Sequence, residues 1–313
     1  NYQDKITNFE EFKIFLIKRF ARLYPLHLIM LFCFLGFEIL KYLVEIELGM
    51  VATNKAFTTN DSIAFLYNVF LVQNWLLING GFNTVSWSIS AEFYTYAIFG
   101  LLLLTPKIIN GQLITISLFL TFVSGLFLFK SGFAISDAIG IGPSRCIYSF
   151  FLGIITFNIY RYYSYVKIHS SFLALITLFL CLTIISLSEI EMKNRLILII
   201  PFIFCFFILS LVLTAKDTVI YKFLSNQKLV YLGTISYGIY MIHSSVWWII
   251  NQILKFFFGL PTQGVNGSTI AEIQNKLHGN LLIIVGLIFI IYLSHISYNH
   301  FERLFYKNKH SSK

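Results

Sequence analysis

The chain has 313 residues, 57% hydrophobic and 18% aromatic but only 12% charged, with a formal net charge of +9. Apolar runs of membrane-spanning length recur along it, which excludes an ordinary soluble domain and points to a polytopic membrane protein. The basic surplus needs no nucleic acid to explain it. With the N-terminus in the cytoplasm and sides alternating, 15 of the 23 basic residues fall in inner loops, so the positive-inside rule is met with both ends cytoplasmic.

Taken in order, residues 7–22, TNFEEFKIFLIKRFAR, begin with Thr7 and Glu10 at capping-box spacing and place Phe9, Phe12, Phe15, Leu16 and Phe20 on a helical repeat. This predicts an amphipathic helix on the inner leaflet. Tyr24-Pro25 predicts its end, because the residue before proline leaves the α region and proline suits the first turn of a new helix. Eight spanning helices are expected at about 24–44, 86–104, 111–130, 145–160, 171–188, 195–215, 229–257 and 280–300. The shorter run 63–78, bracketed by Asp61 and Asn79-Gly80-Gly81, reads as re-entrant or interfacial. The longest polar loop, about 258–279, is too short to fold alone. The expected fold class is all-α, a transmembrane helix bundle forming one domain over 1–313.

Cys33, Cys146, Cys181 and Cys205 lie in or beside apolar segments without metal-ligand or redox spacing, so neither zinc nor a disulfide framework is expected. Glu92 is the most conspicuous polar residue. An ionisable group in hydrocarbon costs a few kcal/mol even on lenient insertion scales, so it needs a polar cavity or a partner. Ser88, four residues earlier, shares its helical face. The two line a wet wall, or Glu92 pairs with a buried cation such as Arg145. Arg19 and Arg22, three apart at the inner surface, suit either a grip on phosphate oxygens or an anchor to anionic headgroups. Of seven histidines, His27 and His243 lie in spans, as hydrogen-bonded packing residues or as bases. Gly233, Ser236 and Gly238 in LGTISYGIYMIH suit close helix packing.

Four stretches in this order, KRFARLYPLHL, SWSISAEFYTYAIFG, LGTISYGIYMIH and SYNHFERLFYK, resemble the landmarks of the acyltransferase 3 family of polytopic membrane O-acyltransferases. The resemblance implies about ten transmembrane helices. It also implies transfer of an acyl group, usually acetyl, from cytoplasmic acyl-CoA to a hydroxyl of a cell-surface or lipid-linked glycan. Arg19 and Arg22 match the family's Arg-x-x-Arg at the acyl-donor side; Ser88 and Glu92 match its catalytic Ser-x-x-x-Glu. The partners it implies are acyl-CoA as donor substrate, a saccharide or glycolipid acceptor and membrane lipids, with no bound cofactor or metal, in a bacterial cytoplasmic membrane. Two departures stand out. No Lys or Arg is followed eleven positions later by histidine, the family's pattern for its catalytic base. With Asn1 in place of an initiator methionine and eight spans rather than ten, this leads us to expect that the first two helices and that histidine lie outside the chain. The family's closing Glu-x-Pro is here Glu302-Arg303-Leu304. A glycolipid transporter is the rival reading; its mark would be paired broken helices in two related halves, and no such halves are visible.

Overall fold

A computed structural model describes residues 5–49, 54–76, 81–105, 110–131, 140–168, 175–177, 179–180, 182–183, 186, 198–265 and 268–307. Among these the chain is mostly helical, with one hairpin and a single parallel bridge between Ile168 and Thr214. Three helices are long and apolar enough to cross a membrane: Phe9–Leu48, Gln112–Ser131 and Lys276–Phe305. The expected span 171–188, with Cys181, lies mostly outside the described residues.

The first helix, α1, is Phe9–Leu48. Its start lies one residue later than the Thr7–Glu10 spacing predicted: Asn8 Oδ1 accepts from Glu11 N at 3.0 Å, and the Glu11 carboxylate reaches back to Thr7 N at 2.7 Å. Glu11, not Glu10, closes the box. The expected interruption at Tyr24-Pro25 is also corrected, because α1 runs through Pro25 as one helix of 40 residues, about 60 Å long. Proline removes one ladder bond, and in apolar surroundings neighbouring groups restore enough polar contact for the helix to continue. Close by, the Tyr237 hydroxyl donates to Leu23 O at 2.5 Å.

The 63–78 run forms two short helices, α2 (Ser62–Val69) and α3 (Gln73–Leu76), neither long enough to span. Asp61 caps α2 through Ala64 N at 2.7 Å, and Leu71 between them is left-handed, with φ of 57°. After a single turn at Thr84–Ser86 come α4 (Trp87–Leu103), α5 (Asn110–Ser131), α6 (Gly142–Tyr163) and α7 (Ile199–Leu213). Two short helices, α8 (Val219–Leu224) and α9 (Gln227–Thr234), precede α10 (Ser236–Gln252), so the expected span 229–257 is divided at Ile235. The last long helix, α11 (Lys276–Ser297), passes through a wide turn at Tyr298–Glu302 into α12 (Arg303–Lys307). Leu304 lies within α12, and the helix continues through it.

The contacts gather into two compact units, Asn1–Ile17 with Ala91–Tyr231, and Lys18–Ser90 with Leu232–Lys313. In the first, Phe12, Phe15, Phe99 and Leu113 form a buried cluster with Tyr96 and Phe150 around it, and α5 packs on α6 and α6 on α7. In the second, Leu31, Ala64 and Phe82 form the cluster, and α10 packs on α11. Here α11 shows what solvent it was built for: Gly286, Ile290 and Ser294 make a buried stripe at four-residue spacing, while Leu281, Ile284, Val285, Leu287 and Ile288 are exposed. Small residues face the neighbouring helix and large apolar ones face outward, as lipid requires. The chain is an integral membrane protein.

The polar loop contains a feature the sequence reading missed. Thr262–Val265 pairs antiparallel with Ser268–Ala271. Asn251, near the end of α10, donates to Thr269 O and accepts from Ala271 N, both at 2.9 Å, and the Lys255 ammonium bonds Thr269 Oγ1.

The tightest helix contact gives a direct test. A Cβ at Gly286 would lie 2.5 Å from the Trp247 ring, whereas one at Gly279 on the same helix meets nothing within 4 Å. Gly286→Ala is expected to cost roughly 1–3 kcal/mol in thermal unfolding in detergent, and Gly279→Ala to cost nothing and to gain up to about 1 kcal/mol from helix propensity.

Candidate functional site

The three serines of SWSIS divide their work by helical geometry. Successive residues turn by about 100°, so Ser86 and Ser90 share one side while Ser88 and Glu92 share another. Ser86 and Ser90 are buried against the broken α2–α3 segment. Ser90 bridges the break, its hydroxyl donating to Leu71 O at 2.5 Å and accepting from Asn74 N at 3.3 Å. Ser86 Oγ donates to Asn68 Oδ1 at 3.3 Å, and Gln73 Nε2 donates to Ser86 O at 3.1 Å. From α1, Tyr24 donates to Val69 O at 3.1 Å and His27 Nε2 to Asn68 O at 2.9 Å. Side chains thus satisfy the backbone groups that the break releases.

Ser88 is half-buried and meets α10. Tyr240 Oη lies 2.9 Å from Ser88 Oγ and donates to Val85 O at 2.7 Å. A phenol has one proton, so Ser88 is the donor in the pair. His243, one turn along α10, donates from Nδ1 to Tyr240 O at 2.7 Å, which leaves its Nε2 as an acceptor in the neutral ring. Asn83 joins this face of α10 by donating to Met241 O at 3.2 Å and accepting from Ser244 Oγ at 2.8 Å. Gly238, read from the sequence as a packing residue, sits where a Cβ would lie 3.2 Å from both Glu302 Oε1 and Ser294 Cβ. Glu302 is itself buried and accepts from Ser297 Oγ at 2.9 Å.

Glu92 is half-buried on α4. Its Oε1 accepts from the Tyr96 hydroxyl at 2.5 Å, and the Tyr96 ring packs edge-on against Phe15 and Phe150. The carboxylate is therefore held by a phenol one turn away, in aromatic surroundings. A neutral donor keeps the carboxylate in place without cancelling its charge, so a second hydroxyl brought to Oε2 can still be bound.

Arg19 and Arg22 are not equivalent. Arg19 is half-buried and continues, at four-residue spacing, into the buried residues Leu23, His27 and Leu31; Arg22 is exposed. Both guanidinium groups remain suited to anionic oxygens, but only Arg19 lies on the stripe that α1 buries. Among the described residues no three His, Cys, Asp or Glu side chains gather as metal ligands.

The buried carboxamides Asn68, Gln73 and Asn74 were missed in the sequence. Their signal was present: three amides within YNVFLVQNW, in a run otherwise apolar enough to lie in lipid.

A family model described as an acyltransferase domain matches residues 5–299, nearly the whole chain. No curated protein and no solved structure matches.

The Ser88–Tyr240 pair predicts a coupling. Tyr240→Phe and Ser88→Ala should each lower stability by about 1 kcal/mol, and the double change should cost less than their sum by about 0.5–1 kcal/mol in a thermal double-mutant cycle. Strict additivity would show that the pair does not form.

Proposed function

We propose that this chain, which belongs to the acyltransferase 3 family, moves an acyl group, acetyl in the simplest case, from acyl-CoA to a hydroxyl of a cell-surface or lipid-linked glycan. That it is a membrane acyltransferase follows from the family and the apolar helices; the donor, the acceptor and the residue roles are our reading. The observation that carries it is Glu92, a carboxylate kept inside an apolar helix by a tyrosine hydroxyl.

A thioester is already activated, so the enzyme has to hold an acceptor hydroxyl within attacking distance, take its proton and stabilise the oxyanion. Glu92 accepts hydrogen bonds from the hydroxyls of the incoming sugar and orients the one that reacts. Ser88, its single proton shared with Tyr240 and Val85, presents lone pairs to an acceptor hydroxyl. Arg19 and Arg22 hold the donor's phosphates at the inner surface, Arg19 from the buried stripe and Arg22 from the exposed side. CoA enters as substrate, with no resident cofactor. In this reading the chain crosses the bacterial cytoplasmic membrane about eight times with both ends inside.

Two experiments test this. With the protein in membranes, radiolabel from acetyl-CoA should appear in a glycan fraction. Glu92→Gln should lower the rate at least about 100-fold, and Arg19→Ala with Arg22→Ala should raise the KM for acyl-CoA, at unchanged protein level. If both variants match wild type, the site assignment is wrong; glycolipid crossing without acylation would instead favour a transporter. For the topology, cysteines placed at Lys5 and Lys307 in right-side-out vesicles should resist an impermeant thiol reagent until the vesicles are opened. Labelling of either in sealed vesicles would refute the cytoplasmic placement.

A further inference from the structure

Two helix ends mark the same border in the unit that contains Ala91–Tyr231. On α7 large apolar side chains, among them Phe202, Phe206 and Ile208, are exposed as far as Val212, and on α6 Phe157 and Ile159 are exposed in the same way. Beyond those points the surface changes. The last turn of α6 and the residues after it read RYYSYVK (161–167), with Tyr162 and Tyr165 exposed, and after α7 come Lys216, Lys222 and Lys228. The two changes stand level, because Ile168 and Thr214 form a parallel bridge: Ile168 N donates to Leu213 O at 3.1 Å, and Ala215 N to Ile168 O at 3.2 Å. Tyrosine beside lysine at the end of an apolar surface is the composition that a headgroup layer favours.

The segment past that border is poorly suited to water. Helix α8 has six residues and α9 eight, and neither buries a side chain. Helices that short are unstable alone, so something has to cover them. Their first turns are closed locally, Thr218 Oγ1 accepting from Tyr221 N at 3.4 Å and Asn226 Oδ1 from Lys228 N at 2.9 Å. Their sides are open. Val219 and Phe223, four apart and so on one face of α8, are 85% and 65% exposed, and Val230 on α9 is exposed too.

Charge indicates what the cover is. Residues 161–168 and 214–230 hold five basic side chains (Arg161, Lys167, Lys216, Lys222, Lys228) against one acid, Asp217. Among the described residues the ammonium groups of the four lysines have no ion pair or hydrogen bond. A second copy of this face would set lysine against lysine, and pure hydrocarbon would leave the ammonium groups unsolvated. A layer with phosphate oxygens on one side and acyl chains on the other meets both demands.

We propose that residues 214–230, with Lys167 beside them, dock on the headgroups of anionic phospholipids: Val219, Phe223 and Val230 enter the acyl boundary, and Lys167, Lys216, Lys222 and Lys228 meet the phosphates. This binding requires only that the chain sits in a bilayer and is independent of the acyl-transfer chemistry.

The test uses the full chain in lipid nanodiscs. A polarity-sensitive dye is attached at Ser225→Cys, an exposed position between α8 and α9, and wild-type protein labelled in parallel supplies the background from the native cysteines. In phosphatidylcholine discs that contain phosphatidylglycerol, the dye should emit as in a headgroup layer and be quenched by a headgroup spin label. Changing Lys216→Gln, Lys222→Gln and Lys228→Gln together should raise the phosphatidylglycerol fraction needed for that signal at least about fivefold, and added salt should act in the same direction. Val219→Gln with Phe223→Gln should abolish the signal at any fraction. Both variants alter exposed side chains only, so thermal unfolding in detergent should stay as in wild type. Water-like emission from the wild-type background in every disc would overturn the proposal. So would emission indifferent to phosphatidylglycerol and to the lysine changes, which would show lipid contact without recognition of charge. A signal that rises with protein concentration instead of with anionic lipid would assign the face to a second copy and overturn it as well.

Discussion

Breaking a helix in apolar surroundings releases backbone donors and acceptors that water cannot reach, and each has to be met by protein. The break between α2 and α3 is the point on which the unit Lys18–Ser90 with Leu232–Lys313 depends. Leu71 takes a left-handed conformation there without being glycine, a strained choice that persists only where the surroundings enforce it. The enforcement is visible in Tyr24 on Val69 O, His27 on Asn68 O, and Ser90 spanning from Leu71 O to Asn74 N. One short stretch thus fixes the depth and rotation of α1 and of the start of α4 at once. Short hydrogen bonds in a low-dielectric setting are directional, so the registry they set is narrow.

The same constraint explains why SWSIS carries a polar residue at every second position. Ser86 and Ser90 are committed to the break and are fully buried. Ser88, turned to another side of the helix, is free to engage Tyr240, and Glu92 follows it one turn later. A helix that must both close a broken backbone and present a wet face needs polar residues on two sides, and alternation over five residues achieves that. The glutamate is tolerated for a similar reason: a tyrosine hydroxyl, itself braced by Phe15 and Phe150, fixes it.

What could be read from the sequence follows the strength of the physical signal. Apolar runs mark helices wherever lipid is the solvent, and the helices over 87–103, 110–131, 142–163 and 276–297 lie close to the expected positions. The match of Arg19, Arg22, Ser88 and Glu92 to family motifs was equally legible, because motif spacing is a property of the chain. Local punctuation was read too literally. Pro25 ends helices in water, where the lost bond has competition from solvent, but here Tyr237 supports the backbone next to it and α1 continues. The cap moved from Thr7 to Asn8 because both are good caps and only the first turn's packing chooses between them. The hairpin over Thr262–Ala271 was missed although Asn266-Gly267 is the strongest short turn signal there is. How His27, Asn68, Ser86 and Gln73 connect could not have been read at all, since which side chains meet is a fact of tertiary structure.

The motif LGTISYGIYMIH is best understood as the part that ties this unit together. Its residues point to three different neighbours: Tyr237 to the α1 backbone beside Pro25, Gly238 to Ser294 and Glu302 on the closing segment, and Tyr240 with Met241 to the entry of α4 through Val85 and Asn83. Three successive contacts within one and a half turns allow no independent rotation of α10. A displacement of α10 therefore carries α1 at Leu23, one turn before His27, together with α4 at Ser88, two residues from the serine that bridges the break. The face of α10 that carries Tyr240 and Met241 is thus tied to the backbone of α1 and to the entry of α4 by hydrogen bonds, and a chain of short, directional bonds transmits displacement where a purely apolar contact would slide.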